Sequence, residues 1–255
     1  MSKQRNTQQR RHLIMQRLQQ QGEVSVDELV QLFETSEVTI RKDLTVLEAN
    51  GFLLRRYGGA VLMPNEIIDE SQEENLSKRK LSIAKAAAEK IRDHNRIIVD
   101  SGSTTTALIK QLNKKQGLIV MTNSLSVANE LRALENEPTL LMTGGTWDTR
   151  SESFQGNVAE QVLRSYDFDQ LFIGADGIDL ERGTTTFNEL VGLSRVMAEV
   201  SREVIVMVES QKIGRRMPNV ELSWQQIDVL VTDNLLSAEN KRAIETQGVE
   251  VVIAQ

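Results

Sequence analysis

Ile40, Leu44 and Leu47 fall at i, i+4 and i+7, one apolar stripe of a helix, while Val38, Arg41, Lys42 and Thr45 take the opposite side. Ser36 stands at the N-cap position, where its hydroxyl can accept a backbone N–H. Upstream, Leu13, Ile14 and Leu18 make a stripe among Gln and Arg over residues 8–21, and Gly22 follows as a C′ residue. Ser25 and Glu28 have the spacing of a capping box. Val26, Leu29, Val30 and Phe33 then give a second apolar face, and Glu34-Thr35 makes a short turn. Three helices with a tight turn between the second and third predict a helix-turn-helix. From Phe52 to Leu62, a β-leaning run, a Gly58-Gly59 turn and a second apolar run predict a hairpin, or wing, with Arg55 and Arg56 beside it.

A helix with an apolar back and a small, polar and basic front fits a DNA major groove. Ser36, Val38, Thr39, Arg41, Lys42, Thr45, Arg55 and Arg56 are therefore the candidate DNA-contacting residues. Asp43 falls near the buried flank, which predicts a pairing with a basic residue of the first helix rather than contact with anionic DNA. A plain helical bundle with solvated charges would share the stripes. The cap, tight turn, basic front and Arg-Arg wing taken together favour double-stranded DNA.

Residues 63–77 change character, with one Pro, five acidic residues and little periodicity, and read as an exposed linker. Beyond them helix and strand patterns alternate. Helices are expected near 78–93, 105–114, 124–134, 157–165, 189–201 and 238–247. Strands are expected near 96–99, 118–121, 139–142, 170–173, 204–208, 229–231 and 249–253. This predicts an α/β domain with a mostly parallel sheet, hence three segments: 1–62, the linker 63–77, and 78–255.

Ligands of such sheets sit at the carboxyl ends of the strands. The residues there are Asp100-Ser101-Gly102-Ser103-Thr104-Thr105, Asn123, Gly144 and Asp176, with Glu189 opening a later helix and Lys212 after another strand. Gly and small hydroxyl residues at a helix start expose backbone N–H groups suited to a phosphate. The carboxylates suit sugar hydroxyls, and the lysine supplies charge. Any one of these turns alone would be an ordinary cap; six together favour a pocket for a phosphorylated polyol. There is no Gly-x₄-Gly-Lys and no Gly-x-Gly-x-x-Gly.

Net charge is −6, but residues 1–60 carry 9 Lys+Arg against 7 Asp+Glu, and the remaining 195 carry 21 against 29. The positive charge is concentrated where DNA contact is expected. With no cysteine and only His12 and His94, thiolate chemistry and a histidine-rich metal site are excluded, and no metal or cofactor is expected. No apolar run reaches membrane-spanning length and no signal segment opens the chain, so a cytoplasmic protein without membrane contact is expected.

Arg10-x₃-Ile14-x₃-Leu18, then Ser36-x₂-Thr39-Ile40-Arg41-Lys42-Asp43-Leu44, resembles the N-terminal signature of the DeoR family of bacterial repressors, as does Arg56-Tyr57-Gly58-Gly59-Ala60. The resemblance continues to the C-terminus. It implies a winged helix-turn-helix followed by a domain similar in fold to ribose-5-phosphate isomerase and the coenzyme A transferases, one that senses phosphorylated sugars instead of converting them. Asp100, Gly102, Thr104 and Thr105 match the family's phosphate loop, and Asn123, Gly144, Asp176 and Lys212 match its other pocket positions. Gly177-Ile178-Asp179-Leu180 and Thr185-Thr186-Phe187-Asn188-Glu189 are most similar to the branch that governs the glucitol (sorbitol) operon, and less to repressors of the N-acetylgalactosamine pathway. Glu209-Ser210-Gln211-Lys212 departs from the family's usual Asp-Ser-Ser-Lys.

These readings imply a repressor of a carbohydrate operon, homo-oligomeric as dimer or tetramer, released from its operator by a phosphorylated sugar or hexitol such as glucitol 6-phosphate. Asp100, Asp176, Glu189 and Lys212 would also equip an isomerase-like enzyme carrying an appended DNA-binding module. The DNA-binding module makes sensing without turnover the better expectation.

Overall fold

The stripes that predict the first helices become the core of a small N-terminal unit. In a computed structural model the chain divides into Met1–Asp69 and Glu70–Gln255. The structure describes residues 10–255 other than 12, 16, 19–20, 50–52, 57, 63–69, 150, 187 and 189–190. Glu189, Phe52, Tyr57 and the first part of the expected linker thus lie outside the described residues.

In the N-terminal unit, Ile14 and Leu18 from a helical segment within residues 10–21 pack with Leu29, Ile40, Leu44, Leu47 and Leu53 in one buried cluster. Gly22, at φ 78°, donates its N–H to the Leu18 carbonyl and closes that segment. A short strand follows, β1 (Glu23–Ser25), then α1 (Val26–Phe33), α2 (Glu37–Ala49), β2 (Leu53–Arg56) and β3 (Gly59–Leu62). Ser25 Oγ accepts the Glu28 N–H at 3.1 Å, the forward half of the expected capping box. The return half is replaced: the Glu28 carboxylate accepts from Arg17 Nε at 2.8 Å. Glu34, at φ 46°, ends α1 by donating its N–H to Val30 O, which sets the tight turn into α2.

The wing is three-stranded, in the order β1-β3-β2. Its hairpin turn sits one residue earlier than expected. Gly58 has φ 81° in the turn, whereas Gly59 already belongs to β3 and pairs with Arg56. Gly59 is needed for a different reason: a Cβ there would come within 2.2 Å of the Val24 carbonyl oxygen on β1.

The second unit begins with α3 (Glu70–Glu89), so the helix expected from residue 78 starts eight residues earlier, inside the stretch read as linker. That stretch lacks Gly or Pro after Pro64, and its acidic residues favour the positive end of the helix dipole. The remaining elements are β4 (Arg96–Val99), α4 (Ser103–Ile109), β5 (Ile119–Thr122), α5 (Leu125–Arg132), β6 (Thr139–Met142), β7 (Thr146–Asp148), β8 (Ser153–Gln155), α6 (Asn157–Leu163), β9 (Phe168–Ile173), β10 (Gly177–Asp179), β11 (Gly183–Thr186), α7 (Gly192–Glu199), β12 (Ser201–Met207), β13 (Asn219–Ser223), β14 (Val229–Thr232), α8 (Ala238–Glu245) and β15 (Glu250–Ile253).

Seven of these strands form one all-parallel sheet, ordered β15-β14-β12-β9-β4-β5-β6. Both of its faces are apolar, as parallel sheets require. Ile97, Val99, Val120 and Phe172 pack on one side with Ile83 and Ala87 of α3 and Leu108 of α4. Ile98, Met121, Leu171 and Ile173 alternate to the other side, against Leu163 of α6 and Val196 and Met197 of α7. From β4 the chain winds outward to β6, then returns to the other side of β4 as β9. The β4–β9 junction is therefore the point where winding reverses, and its carboxyl end is where a ligand crevice forms. A separate antiparallel sheet, β10-β11-β13, and a β7–β8 hairpin complete the unit. Among the described residues no helix is long and apolar enough to cross a membrane.

Candidate functional site

Two groups of candidate residues lie on the two units. On the N-terminal unit, Val38 is 75% exposed, and Ser36, Arg41, Lys42, Thr45, Arg55 and Arg56 are also exposed, with Thr39 half-buried. Ser36 caps α2: its Oγ accepts the Thr39 N–H at 3.3 Å and bonds the Thr39 hydroxyl at 2.9 Å. Arg55 of the wing donates from Nη1 to Thr45 Oγ1 at 2.9 Å, and Thr45 donates to the Arg41 carbonyl at 2.8 Å, so helix front and wing form one polar surface. Glu37 holds the Arg41 guanidinium along the helix, Nε at 3.0 Å.

Asp43 turns the other way and is buried. Arg10 Nε donates to its Oδ2 at 2.6 Å and Arg11 Nε to its Oδ1 at 2.8 Å, the pairing with the first helix that its angle predicts. The two guanidiniums clamp one carboxylate and thereby tie α2 to the first helical segment.

On the second unit several of the candidate effector residues gather at the carboxyl end of the β4–β9 junction. The Asp100 N–H donates to Phe172 O at 3.0 Å, tying the end of β4 to β9. Asn123, fully buried after β5, donates from Nδ2 to Asp100 Oδ1 at 2.8 Å and accepts the Ser101 N–H on Oδ1 at 3.1 Å. One amide thus fixes both the carboxylate and the loop that follows it. Gly102 takes φ 145°, and its carbonyl accepts the hydroxyls of Thr105 and Thr106 at 2.9 and 2.7 Å. Gly102 and Ser103 are open to solvent, while Thr104 and Thr105 are buried. The N–H groups of Ser103, Thr104 and Thr105 fall in the first turn of α4, where no helical carbonyl precedes them. Gly144 follows β6 at φ 59°.

Across the junction, Asp176 is exposed after β9 and accepts the Thr186 hydroxyl at 2.7 Å. Lys212 lies in a short turn after β12 and donates to Ala175 O at 3.3 Å. The expectation that Thr185-Thr186-Phe187-Asn188-Glu189 opens a helix, as one of six turns at one end of a single sheet, needs correcting: Thr185 and Thr186 belong to β11 of the antiparallel layer. Glu189 lies outside the described residues, and the next helix runs from Gly192 to Glu199.

That antiparallel layer also brings in a residue that sequence reasoning missed. Glu221, on β13, accepts the Ser194 hydroxyl at 2.6 Å. Burial pushes its carboxyl up to about 8; Ser194 opposes this, and the charges of Asp100 and Asp176 add to it, with Arg195 opposing. Burial likewise pushes Asp100 up to about 6, against the Ser101 N–H, Asn123 and the Ser101 hydroxyl, with Asp176 adding to the rise. The charges of Asp100 and Asp176 act on Glu221, and that of Asp176 on Asp100, so the three carboxyls lie near one another. Asp179 behaves oppositely: burial would raise it, but the Arg182 hydrogen bond, the Glu181 N–H and the charges of Arg182 and Arg216 hold it below its ordinary value.

A raised acid favours the folded state while it stays protonated, so its contribution is complete below the unfolded value and is lost as pH climbs through the folded one. For Glu221 the loss runs from about 4.5 to about 8. The melting temperature of the second unit should therefore fall between about pH 5 and about pH 8, and Glu221→Gln, which cannot ionise, should flatten that slope. A calorimetric pH series on both chains checks this; an equal slope in the variant would place the lost proton elsewhere.

Residues 10–66 match the family model of the DeoR-like helix-turn-helix domain, and residues 75–234 match that of the DeoR C terminal sensor domain. A putative aga operon transcriptional repressor of Escherichia coli O157:H7 is 42% identical, covering 97% of this chain and 94% of its own. The glycerol-3-phosphate regulon repressor of Escherichia coli (strain K12) is 30% identical, covering 88% of this chain and 90% of its own. Among solved structures, a ribose 5-phosphate isomerase A from Methanocaldococcus jannaschii aligns over 55% of each chain at 20% identity, with a TM-score of 0.39.

Proposed function

Because the chain belongs to the DeoR family of DNA-binding transcriptional repressors, we propose that α2 and the wing read its operator and that the β4–β9 pocket takes the metabolite that releases it. The observation that carries the second half is the Asn123 clamp. It holds Asp100 and the Ser101 N–H that leads into the open Gly102-Ser103 turn, and Lys212 lies in the turn after β12 at the same end of the sheet. Such a seat offers backbone N–H groups and an ammonium to a phosphate, and the carboxylates of Asp100, Asp176 and Glu221 to hydroxyls. A phosphorylated sugar or sugar alcohol fits both demands.

At the operator, Arg41, Lys42, Val38 and Thr39 face the bases, and Ser36, Thr45, Arg55 and Arg56 the sugar-phosphate backbone. Two copies of the chain place two such helices in half-sites one helical turn apart, so the working particle is a homo-oligomer. It acts in the cytoplasm, where the operator is. The effector shifts the equilibrium between states only as far as it binds one better than the other.

Titrating the repressor–operator complex with hexose 6-phosphates, N-acetylhexosamine 6-phosphates and glucitol 6-phosphate, beside their unphosphorylated forms, tests the reading. Glucitol 6-phosphate is included because of the Gly177–Leu180 and Thr185–Glu189 segments. At least one phosphorylated member should weaken operator affinity tenfold or more, and the unphosphorylated forms should not. Flat affinity across the set sinks the inducer assignment. The raised carboxyls of Asp100 and Glu221 favour a second reading, sugar-phosphate isomerisation, since acid–base work needs such groups. Product formation in the same samples, followed by NMR, would establish it.

A further inference from the structure

Glu209 follows β12 and is fully buried, and neither of its carboxylate oxygens accepts a hydrogen bond from any described residue. Two ammonium groups stand beside it: Lys212 Nζ at 3.4 Å from Oε2, and Lys80 Nζ, from α3, at 3.7 Å from Oε1. A carboxylate so deeply buried without hydrogen bonds is tolerable only with cations next to it. We infer that Glu209 is a positioning residue through which the pocket lysine, Lys212, is coupled to Lys80 and so to α3. The inference rests on the proposed effector pocket and specifies how occupancy of that pocket leaves it.

Lys212 is shared between the Ala175 carbonyl, Glu209 and whatever anion enters the pocket. An anion that takes the ammonium leaves the Glu209 charge to Lys80 alone. Glu209 cannot follow Lys212 outward, because the next residue is pinned: the Ser210 N–H and hydroxyl both donate to Asp233, at 2.8 and 2.7 Å. Asp233 accepts from Ser210 and from the Leu235 N–H, and among the described residues the ion pair of Lys80 is with Glu209. The change therefore falls on the Lys80 side. There α3 has room to respond: Lys78, Arg79 and Ser82 line an open cavity of about 220 Å³ against Asp233 and Asn234. Tightly packed interiors resist such shifts, and this flank is not tightly packed. Helix α3 starts at Glu70, the first residue of the sensor unit, so it is the element through which the chain continues from the DNA-binding unit.

Two measurements on the full chain test this. The first needs no ligand. Lys212→Met removes the charge that an anion would occupy, and should raise amide hydrogen exchange across residues 78–89 at least fivefold. In a Glu209→Gln background, where no carboxylate charge needs balancing, the same substitution should change that exchange less than twofold. Unaltered exchange in Lys212→Met, or an equal rise in both backgrounds, overturns the coupling. The second uses whichever sugar phosphate releases the native chain from its operator. Lys80→Met should bind that probe within threefold of native yet lose at least nine-tenths of the release, and Lys80→Arg should restore it. Native release by Lys80→Met overturns the transmission step. If no probe releases the native chain, the effector assignment fails, and the exchange experiment still decides on the coupling.

Discussion

Asp43→Ala should destabilise the N-terminal unit by about 3 kcal/mol, the order expected when one partner of a buried ion pair is removed. The carboxylate is 2% exposed and carries two guanidiniums, of which Arg10 is 14% and Arg11 26% exposed. Removing it leaves two partly desolvated cations facing each other with nothing between them. A domain of this size has a total stability of only a few kcal/mol. The loss should lower its melting by roughly 12–24 °C and abolish operator binding, while the sensor unit melts as before. Calorimetry of the full chain, with operator anisotropy on the same samples, reads both. If Asp43→Ala melted normally and only changed the preferred operator sequence, the carboxylate would be facing a base.

The Asp43 pairing was legible in the sequence because a helix of known phase leaves few choices for its side chains. Ile40, Leu44 and Leu47 fix the buried stripe, and Asp43 falls on its flank, where an acidic residue needs a cation. The same phase exposes Val38, Arg41, Lys42 and Thr45. The parallel strands were legible for a related reason: runs such as Arg96-Ile97-Ile98-Val99 are apolar on both faces only when both are covered. Short elements without such runs were not. β1 offers only Val24 between two exposed polar residues, and it is a strand because β3 supplies its partner. The Gly58-Gly59 pair is equally ambiguous, since one glycine serves the turn and the other the close approach of Val24.

For the candidate effector residues, position along the parallel sheet was readable and the antiparallel layer was not. Asp100, Asn123, Asp176 and Lys212 follow strands with clear patterns. Glu221 comes near Asp100 and Asp176 from β13, and its partner Ser194 stands on α7, neither of which ends a strand of the main sheet. The burial of the Asn-Val-Glu-Leu-Ser run alternates too weakly to announce a strand, and nothing local says that its acid faces Asp100. Glu209 was visible as an unusual residue in its motif. Its role at the junction of Lys80 and Lys212 depends on folding that brings Lys80 to Glu209 across 129 positions of sequence, which no local pattern conveys.

Asn123→Ala should weaken effector binding about 100-fold and leave effector-free operator affinity unchanged, giving a repressor blind to its inducer. The side chain is fully buried and makes two bonds that nothing else replaces, one to Asp100 Oδ1 and one from the Ser101 N–H. Losing both, one of them to an ionisable group, amounts to about 3 kcal/mol, which corresponds to roughly two decades in affinity. The backbone should not move with it, because the Asn123 carbonyl is held independently by the Phe154 N–H at 2.8 Å. Asn123→Asp separates positioning from bulk. It keeps an acceptor for Ser101 but sets a second carboxylate against Asp100, so it should bind effector no better than the alanine variant at neutral pH. Isothermal titration with the releasing sugar phosphate measures both variants. Affinity within threefold of native in Asn123→Ala would mean that the Asp100–Thr105 loop is not where the phosphate sits.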